Sequence, residues 1–263
     1  MVFMGIDIGS TTSKGVLMNE EQAILAQHLV HAGIGTSGPA AVKKELLAAA
    51  GLQDEDIDYT VVTGYGRRTY AEADSQVSEL SCHAKGSAFL FPDVRMVIDI
   101  GGQDAKVIRL DSHGRMTDFV MNDKCAAGTG RFLEVMAGIL QMDVSELEQE
   151  AAKATQTLRI SSTCTVFAES EVISQLAAGA EIPALVKGIC GSVASRTAGL
   201  VRRMGVEEKV CMSGGVANNG AVRRAMEEEL GAEILYSPLA QFAGALGAAL
   251  YAMEKAGKEK EHE

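Results

Sequence analysis

The sequence has 263 residues, of which 47% are hydrophobic and 5% aromatic, and it carries a formal net charge of −11. This length suffices to bury a sizeable core, as one large domain or two smaller lobes. The acidic balance, without a basic stripe, argues against nucleic-acid partners and against docking on anionic membranes. No apolar run approaches the roughly 18 residues of a membrane span. Asp7 interrupts the short apolar start, so we expect no signal peptide and a cytoplasmic location.

Strands and helices alternate along the predicted chain. Hydrophobic runs and turn residues predict strands at 2–8, 14–18 and 23–30, a helix at 39–50, a strand at 60–63 and a helix at about 79–90. A second strand-rich unit begins with strands at 95–100, 104–110 and 116–121. Helices follow at about 129–141, 145–153, 165–178 and 182–204, then a strand at 210–213, a helix at 219–230, a strand at 233–236 and a last helix at about 240–256. This order predicts an α/β fold.

The strongest feature of the sequence is an internal repeat. Gly5-Ile-Asp-Ile-Gly-Ser-Thr-Thr-Ser-Lys matches Val97-Ile-Asp-Ile-Gly-Gly-Gln-Asp-Ala-Lys at a shift of 92 residues. Glycines let the backbone approach a phosphate, successive N–H groups in a turn bind anions, and an Asp at a strand end can hold hydrated Mg²⁺. Two such hairpins would clamp a polyphosphate from both sides. For either copy alone, a simple tight turn is the alternative.

A third glycine turn, Met212-Ser-Gly-Gly-Val-Ala-Asn218, lies between a predicted strand and a predicted helix. Such a turn can approach an adenine ring and bring a helix N-terminus near phosphate, although an ordinary strand–helix connection is the alternative. The three glycine motifs, in this order, resemble the ATPase superfamily of actin, sugar kinases and chaperone ATPase domains. The resemblance implies two actin-like (RNase H-like) lobes, each a mixed five-stranded sheet with helices, with nucleotide in the cleft between them. We expect lobe I at 1–92, lobe II at 93–239 and a C-terminal helix at 240–263 that packs back on lobe I.

The same resemblance implies ATP or ADP with Mg²⁺ as ligands and assigns site residues. The predicted catalytic residues are Asp7, Asp99, Gln103 and Asp104. The predicted nucleotide-binding residues are Gly9, Ser10, Thr11, Thr12, Ser13, Lys14, Gly101, Gly102, Gly214, Gly215, Val216 and Asn218. Gln103 and Asp104 depart from the Gly/Ser/Thr-rich continuation that is common in kinases. The residue that positions the hydrolytic water is therefore not assigned.

Two other patterns are interpreted as structural. Gly33-Ile-Gly-Thr-Ser-Gly38 matches G-x-G-x-x-G, but its preceding strand belongs to a hairpin series rather than to a parallel unit, so we do not predict a dinucleotide site. The adjacent Cys82-His83 pair is interpreted as helix packing rather than as a metal site.

The five cysteines are an odd number and indicate thiols or metal ligands rather than a disulfide framework. Cys125 and Cys164 each precede a predicted helix, whose positive end favours a thiolate and a negative cluster. A cubane takes four cysteines, which a two-fold homodimer would supply. From spacing alone, a shared tetrahedral Zn²⁺ and two inert thiols remain alternatives. Cys82, Cys190 and Cys211 are expected to be buried structural thiols.

The segments around Cys125 and Cys164 carry a second, more specific resemblance. Asn-Asp-Lys-Cys-Ala-Ala-Gly-Thr-Gly-Arg-Phe and Ser-Ser-Thr-Cys-Thr-Val-Phe-Ala-Glu-Ser-Glu resemble the activator components of (R)-2-hydroxyacyl-CoA dehydratases. The type example is the 2-hydroxyglutaryl-CoA dehydratase activator, and the ATPase subunits of benzoyl-CoA reductase are similar. The resemblance extends over nearly the whole chain, including Thr-Gly-Tyr-Gly-Arg and Glu-Leu-Ser-Cys-His-Ala.

This family resemblance implies an ATPase that transfers single electrons. Cys125 and Cys164 of each subunit would ligate one 4Fe–4S cluster per homodimer. Ferredoxin or flavodoxin would donate the electron, and a 2-hydroxyacyl-CoA dehydratase would accept it. The competing hypotheses are a small-molecule kinase of the same fold and an ATP-dependent regulator with Zn²⁺ at the dimer interface.

Overall fold

The chain folds into two compact units, seen in a computed structural model that describes residues 1–122, 126–161 and 164–260. Unit 1 comprises Met1–Val94, Leu110–Thr117 and the chain from Leu239 onwards. Unit 2 comprises Arg95–Arg109 and Asp118–Pro238.

The described residues form ten strands and eight α-helices, numbered here in chain order. The strands are β1 (Val2–Ile8), β2 (Ser13–Asn19), β3 (Ile24–Val30), β4 (Tyr59–Thr63), β5 (Ser75–Gln76), β6 (Met96–Ile100), β7 (Ala105–Leu110), β8 (Met116–Asn122), β9 (Val210–Ser213) and β10 (Ile234–Leu235). The helices are α1 (Gly38–Ala50), α2 (Glu79–Leu90), α3 (Gly130–Ile139), α4 (Leu147–Ala152), α5 (Thr165–Ala177), α6 (Ile182–Met204), α7 (Gly220–Leu230) and α8 (Ala243–Lys260).

Two five-stranded mixed sheets share one topology. The first has the order β3-β2-β1-β4-β5, and the second has the order β10-β9-β6-β7-β8. In the first sheet, β1 pairs antiparallel with β2 and parallel with β4. In the second, β6 pairs antiparallel with β7 and parallel with β9. The internal repeat predicted from the sequence is therefore confirmed as a repeat of structure.

The central strand of unit 1 is buried on both faces, which explains its unbroken hydrophobic run. Met4 and Ile6 share a hydrophobic cluster with Val42 and Leu46 of α1. Phe3, whose side chain points to the opposite face, belongs to a separate cluster with α8. Each fully buried large aliphatic side chain contributes about 1.5–3 kcal/mol.

Glycines allow α8 to lie at backbone contact distance from β1 and α2. A Cβ atom built on Gly5 would lie 2.1 Å from the carbonyl oxygen of Ala245. One built on Gly86 of α2 would lie 1.9 Å from the carbonyl oxygen of Ala243. Neither position tolerates a side chain. These glycines therefore allow the close packing of α8 against α2 and β1. This packing determines which side chains of the two helices lie near the end of β1.

Two local features differ from the sequence prediction. The two-residue strand β5 was not predicted, because such a short strand carries no hydrophobic periodicity. The helix predicted at 145–153 begins as a 3₁₀ turn, Val144–Glu146, before α4. Among the described residues, we find no helix with the length and apolar character that a membrane span requires.

Candidate functional site

The first predicted phosphate hairpin joins β1 to β2. Asp7 and Lys14 lie opposite each other in the register, and Lys14 Nζ is 3.3 Å from Asp7 Oδ2. The amide of Gly9 donates to the carbonyl oxygen of Thr12 at 2.9 Å, which closes the turn with Ser10 and Thr11 at its tip. The hairpin thus presents a short glycine turn beside an ion pair.

A neighbouring segment of unit 1, residues 32–34, is hydrogen-bonded to this hairpin. The amide of Ile34 donates to the carbonyl oxygen of Gly9 at 3.0 Å. The Ser13 side chain is buried and donates to the carbonyl oxygen of Ala32 at 2.7 Å. Ser13 therefore anchors the base of the hairpin through its hydroxyl.

The Gly64-Tyr-Gly-Arg loop after β4 packs directly against Asp7. Gly64 has φ +86°, and a Cβ atom there would lie 2.4 Å from Asp7 Oδ1. The amide of Gly66 donates to the carbonyl oxygen of Ile8 at 2.9 Å. Only glycine satisfies both the backbone conformation and the close contact at position 64.

The second predicted phosphate hairpin, between β6 and β7, repeats the first with a stronger charge network. Lys106 Nζ lies 3.3 Å from Asp99 Oδ2 and 2.9 Å from Asp104 Oδ2, and its side chain is 2% exposed. The amide of Gly101 donates to the carbonyl oxygen of Asp104 at 2.9 Å, while Gln103 is exposed at the turn. A buried lysine between two carboxylates fixes both of them in orientation.

The third glycine turn lies against the second hairpin. The Ser213 hydroxyl donates to Asp99 Oδ1 at 2.8 Å. A Cβ atom on Gly214 would lie 2.3 Å from the carbonyl oxygen of Ile100. Gly215–Asn218 form a 3₁₀ turn, after which the Asn219 side chain accepts hydrogen bonds from the first amides of α7. The structure therefore brings the predicted adenosine loop and the second phosphate hairpin together within unit 2.

Asn218 also contacts Tyr236, which in turn stacks with Arg223. The Tyr236 hydroxyl lies 3.3 Å from Asn218 Oδ1. The guanidinium carbon of Arg223 lies 3.7 Å from the centroid of the Tyr236 ring, within cation–π range.

The second hairpin is also bonded to the start of α3. The amide of Gly130 donates to the carbonyl oxygen of Gly101 at 2.9 Å, and the amide of Arg131 donates to that of Gly102 at 2.8 Å. The first amides of a helix lack partners within the helix, so these carbonyls satisfy two of them. The backbone of the hairpin is thereby bonded directly to the start of α3.

The cysteines separate into two environments. Cys82, Cys190 and Cys211 are buried, as predicted, and burial raises the pKa of the Cys82 and Cys190 thiols to about 12. Cys164 is only partly buried and stands at the N-cap position of α5, before the first helical residue, Thr165. Cys125 lies outside the described residues.

Ser161, three residues before Cys164, is hydrogen-bonded to α5. Glu171 accepts hydrogen bonds from the Ser161 amide at 3.0 Å and from the Ser161 hydroxyl at 3.0 Å. Since Glu171 follows Cys164 by seven residues, it lies two turns along the same helix face. Ser161 is therefore held beside the second turn of α5.

Among the described residues of unit 2, the large hydrophobic side chains with the greatest exposed fraction lie on α5. Val166 and Phe167, in its first turn, are 65% and 68% exposed, and Ile173 is half exposed. Phe119 and Met121 of β8 are also exposed. Large apolar side chains concentrated on one element in this way are typical of an interaction surface.

Sequence reasoning left two polar residues out of the predicted site. Lys106 had a clear signal, because the repeat aligns it with Lys14, but it was not assigned a role. Ser213 was part of the glycine motif, yet its contact with Asp99 joins residues 114 positions apart and has no local signal.

Solved structures support the predicted fold class. A ROK family glucokinase from Streptomyces griseus, in complex with glucose and AMPPNP, superposes with a TM-score of 0.59 over 97% of this chain and 100% of that chain. At 13% identity this likeness shows the fold alone. The prediction of two actin-like units, each with a mixed five-stranded sheet and helices, is confirmed.

Two proteins similar along their full length are much more informative. The (R)-2-hydroxyglutaryl-CoA dehydratase activating ATPase of Acidaminococcus fermentans is 57% identical over 256 residues, covering 97% of this chain and 98% of that protein. The solved activator of the 2-hydroxyisocaproyl-CoA dehydratase from Clostridium difficile, with bound ADPNP, is 53% identical, with a TM-score of 0.98 over 100% of this chain and 98% of that chain. The sequence profile of the BadF/BadG/BcrA/BcrD ATPase family matches residues 4–252. The chain therefore belongs to the BadF/BadG/BcrA/BcrD ATPase family.

Proposed function

We propose that this protein is an ATP-hydrolysing activator of a 2-hydroxyacyl-CoA dehydratase, to which it donates single electrons. The observation that carries the proposal is its full-length identity of 57% and 53% to two proteins named as activators of such dehydratases. The family membership supports ATP hydrolysis. The local chemistry of the hairpins supports nucleotide binding, and that of Cys164 supports an electron-carrying cluster.

The nucleotide chemistry rests on the repeated hairpins. Each unit contributes one glycine turn whose backbone can approach phosphate, and each turn has an Asp–Lys pair at its base. Mg²⁺ keeps several waters and few carboxylate ligands, so Asp7 and Asp99 fit it as water-mediated ligands. Both oxygens of Asp99 already contact Ser213 and Lys106, which suits an indirect role.

The donor chemistry of Cys164 fits a 4Fe–4S cluster shared by two subunits. Cys164 is partly buried and stands at a helix N-terminus, where the helix dipole favours a thiolate and an anionic cluster. With Cys125, each chain offers two thiols, so a second copy is needed to complete the four that a cubane takes. The exposed apolar side chains of α5 beside Cys164 are suited to such a homodimer.

The hydrogen bonds from α3 to the second hairpin suggest how nucleotide chemistry reaches the thiols. α3 follows the Cys125 segment, packs against α5 and is bonded to Gly101 and Gly102. A change in the hairpin between nucleotide states would therefore move both cysteine-bearing segments. ATP can drive such a change only if its affinity differs between the two conformations.

When bound, the 4Fe–4S cluster supplies one-electron chemistry. Cys125 and Cys164 of both subunits would hold it, and the residues around them would set its solvation and hydrogen bonding, two of the factors that determine its potential. Ferredoxin or flavodoxin is the proposed electron donor, and the dehydratase is the acceptor. The alternative of a small-molecule kinase is supported only by the common fold. The alternative of a Zn²⁺ site between two subunits is distinguished from the 4Fe–4S cluster by metal analysis.

The experiment is an iron and acid-labile sulfide assay on anaerobically purified protein, with Cys125→Ser, Cys164→Ser and the matched control Cys211→Ser. About four iron per dimer are expected in the wild type, since one cubane contains that number, with loss in the first two variants and retention in the third. Zinc in place of iron would support the regulator, and phosphorylation of a small molecule would support the kinase. ATP-dependent reduction of an added dehydratase completes the test.

A further inference from the structure

A buried histidine of α2 lies next to the first phosphate hairpin. His83 is 4% exposed, although imidazole is polar and titratable. Glu79 precedes it by one helical turn, and a carboxylate oxygen of Glu79 lies within 4.8 Å of a ring nitrogen of His83. A buried imidazole beside a partly buried carboxylate on the same helix face indicates a role beyond packing.

Gly244 of α8 lies beside both His83 and Asp7. A Cβ atom built on Gly244 would lie 2.9 Å from His83 Nε2 and 2.9 Å from Asp7 Oδ2. The two polar atoms therefore border the same small space, which exists only because residue 244 has no side chain. Lys14 Nζ approaches the same Asp7 oxygen at 3.3 Å. Imidazole, ammonium and carboxylate thus converge within unit 1.

The adjacent Cys82 does not share this environment. It belongs to an apolar cluster with Phe3, Tyr59 and Val61, and burial raises its pKa to about 12. The interpretation of the Cys82-His83 pair as simple helix packing therefore holds for the thiol, but it does not account for the position of the imidazole.

We propose that His83 is a positioning residue for ATP hydrolysis, which orients Asp7 and, together with Glu79, a water molecule beside it. This inference rests on the proposed ATPase function. In the reaction, the water oxygen forms a bond to the γ-phosphorus and the bond from that phosphorus to the β,γ-bridging oxygen breaks. The protons of the water pass to the released phosphate and solvent. Neutral imidazole can donate through one nitrogen and accept through the other, which suits it to fix a water and a carboxylate together.

The test compares His83→Ala, His83→Gln and Ser87→Ala in the cluster-loaded dimer. Ser87 is the matched control, because it lies one turn further along α2, is buried, and its hydroxyl has no hydrogen-bond partner in the described part of the chain. kcat and KM for ATP, and the Kd for a non-hydrolysed ATP analogue, are measured for each variant. Gln places an amide nitrogen near the position of Nε2, so it retains part of the hydrogen bonding.

We expect His83→Ala to lower kcat by about 10²-fold, with KM and the analogue Kd changed by less than about threefold. His83→Gln should recover part of kcat, and Ser87→Ala should match the wild type. Unchanged kcat in His83→Ala would overturn the inference. An equal loss of analogue binding and thermal stability in the Ala and Gln variants would also overturn it, because such a result would identify His83 as a packing residue. A wild-type protein that neither binds nor hydrolyses ATP would instead overturn the proposed function.

Discussion

The Ser213 hydroxyl donates a 2.8 Å hydrogen bond to Asp99 Oδ1, and both side chains are buried. Lys106 holds the other oxygen of Asp99 from β7. The Asp99 carboxylate on β6 is thus held from both flanking strands, β7 and β9. The second of these, β9, leads into the third glycine turn. The position of Asp99 in the second hairpin therefore depends on the turn proposed to bind adenosine.

Replacing Ser213 by Ala should weaken both folding and nucleotide binding. One buried oxygen of Asp99 loses its hydroxyl donor, so the free energy of unfolding should fall by about 1–3 kcal/mol. Urea titration measures this loss, and titration with an ATP analogue measures the accompanying rise in Kd. Ser87→Ala is the control, because it removes a buried hydroxyl that has no hydrogen-bond partner among the described residues. Equal unfolding energies for the two variants would show that the Asp99 contact contributes nothing.

Replacing Lys106 by Met should destabilise the protein more than replacing Lys14 by Met. Lys106 is 2% exposed and contacts two carboxylates, whereas Lys14 is 12% exposed and contacts one. Removing one partner of a buried ion pair leaves an uncompensated charge and costs about 3–5 kcal/mol. Urea unfolding of both variants tests the order. A larger loss for Lys14→Met would contradict it.

The sequence predicted the parts of the site that depend on local pattern. The repeat predicted a strand, a glycine turn and a second strand at both Asp7 and Asp99, and the register of each hairpin then brings Lys14 opposite Asp7 and Lys106 opposite Asp99. The Ser213–Asp99 bond and the approach of His83 to Asp7 across Gly244 could not be predicted in this way. They join elements that are distant in sequence, and only the packing of α8 against β1 and α2 brings His83 to the first hairpin.

Gly64 and Gly231 provide a matched pair for the loop that packs against Asp7. Both have positive φ, +86° and +62°, but a Cβ atom on Gly64 would overlap Asp7 whereas one on Gly231 has nothing within 4 Å. Gly231→Ala should therefore cost only the backbone penalty of about 1–2 kcal/mol. Gly64→Ala should cost more and should also abolish ATP hydrolysis, because Asp7 must move. Retained ATP hydrolysis in Gly64→Ala would show that the reaction does not depend on the position of Asp7.

The buried thiols make the protein sensitive to alkaline pH. Burial raises the pKa of Cys82 and Cys190 to about 12, from a usual thiol value of 9.0. Between about pH 9 and 12, the folded state keeps the thiol protons that the unfolded state loses. The stabilisation is therefore fully present below pH 9 and is lost as the pH rises towards 12.

Alkylation of the native protein with iodoacetamide at about pH 8, the usual range of thiol titration, checks the environment of these thiols. Cys82 and Cys190 should remain unmodified until urea unfolds the chain, because only the thiolate reacts. Mass spectrometry of the digested protein identifies the modified positions. Rapid labelling of either residue in the folded protein would show that it is not buried in solution.

If the proposed electron transfer is driven through α3, its contact with the second hairpin should couple ATP hydrolysis to it, and two glycines of α3 allow a controlled test. A Cβ atom on Gly130 would lie 3.2 Å from the Gly101 carbonyl oxygen and 3.4 Å from Gly102 Cα, whereas one on Gly138 has nothing within 4 Å. Gly138→Ala should stabilise α3 by about 0.5–1 kcal/mol through helix propensity and leave the coupling intact. Gly130→Ala should displace the start of α3 from the hairpin, so that ATP is still hydrolysed but more of it is consumed for each electron delivered to the dehydratase. The measurement is the ratio of phosphate released to dehydratase reduced, determined anaerobically for both variants. An unchanged ratio in Gly130→Ala would mean that coupling passes through another contact.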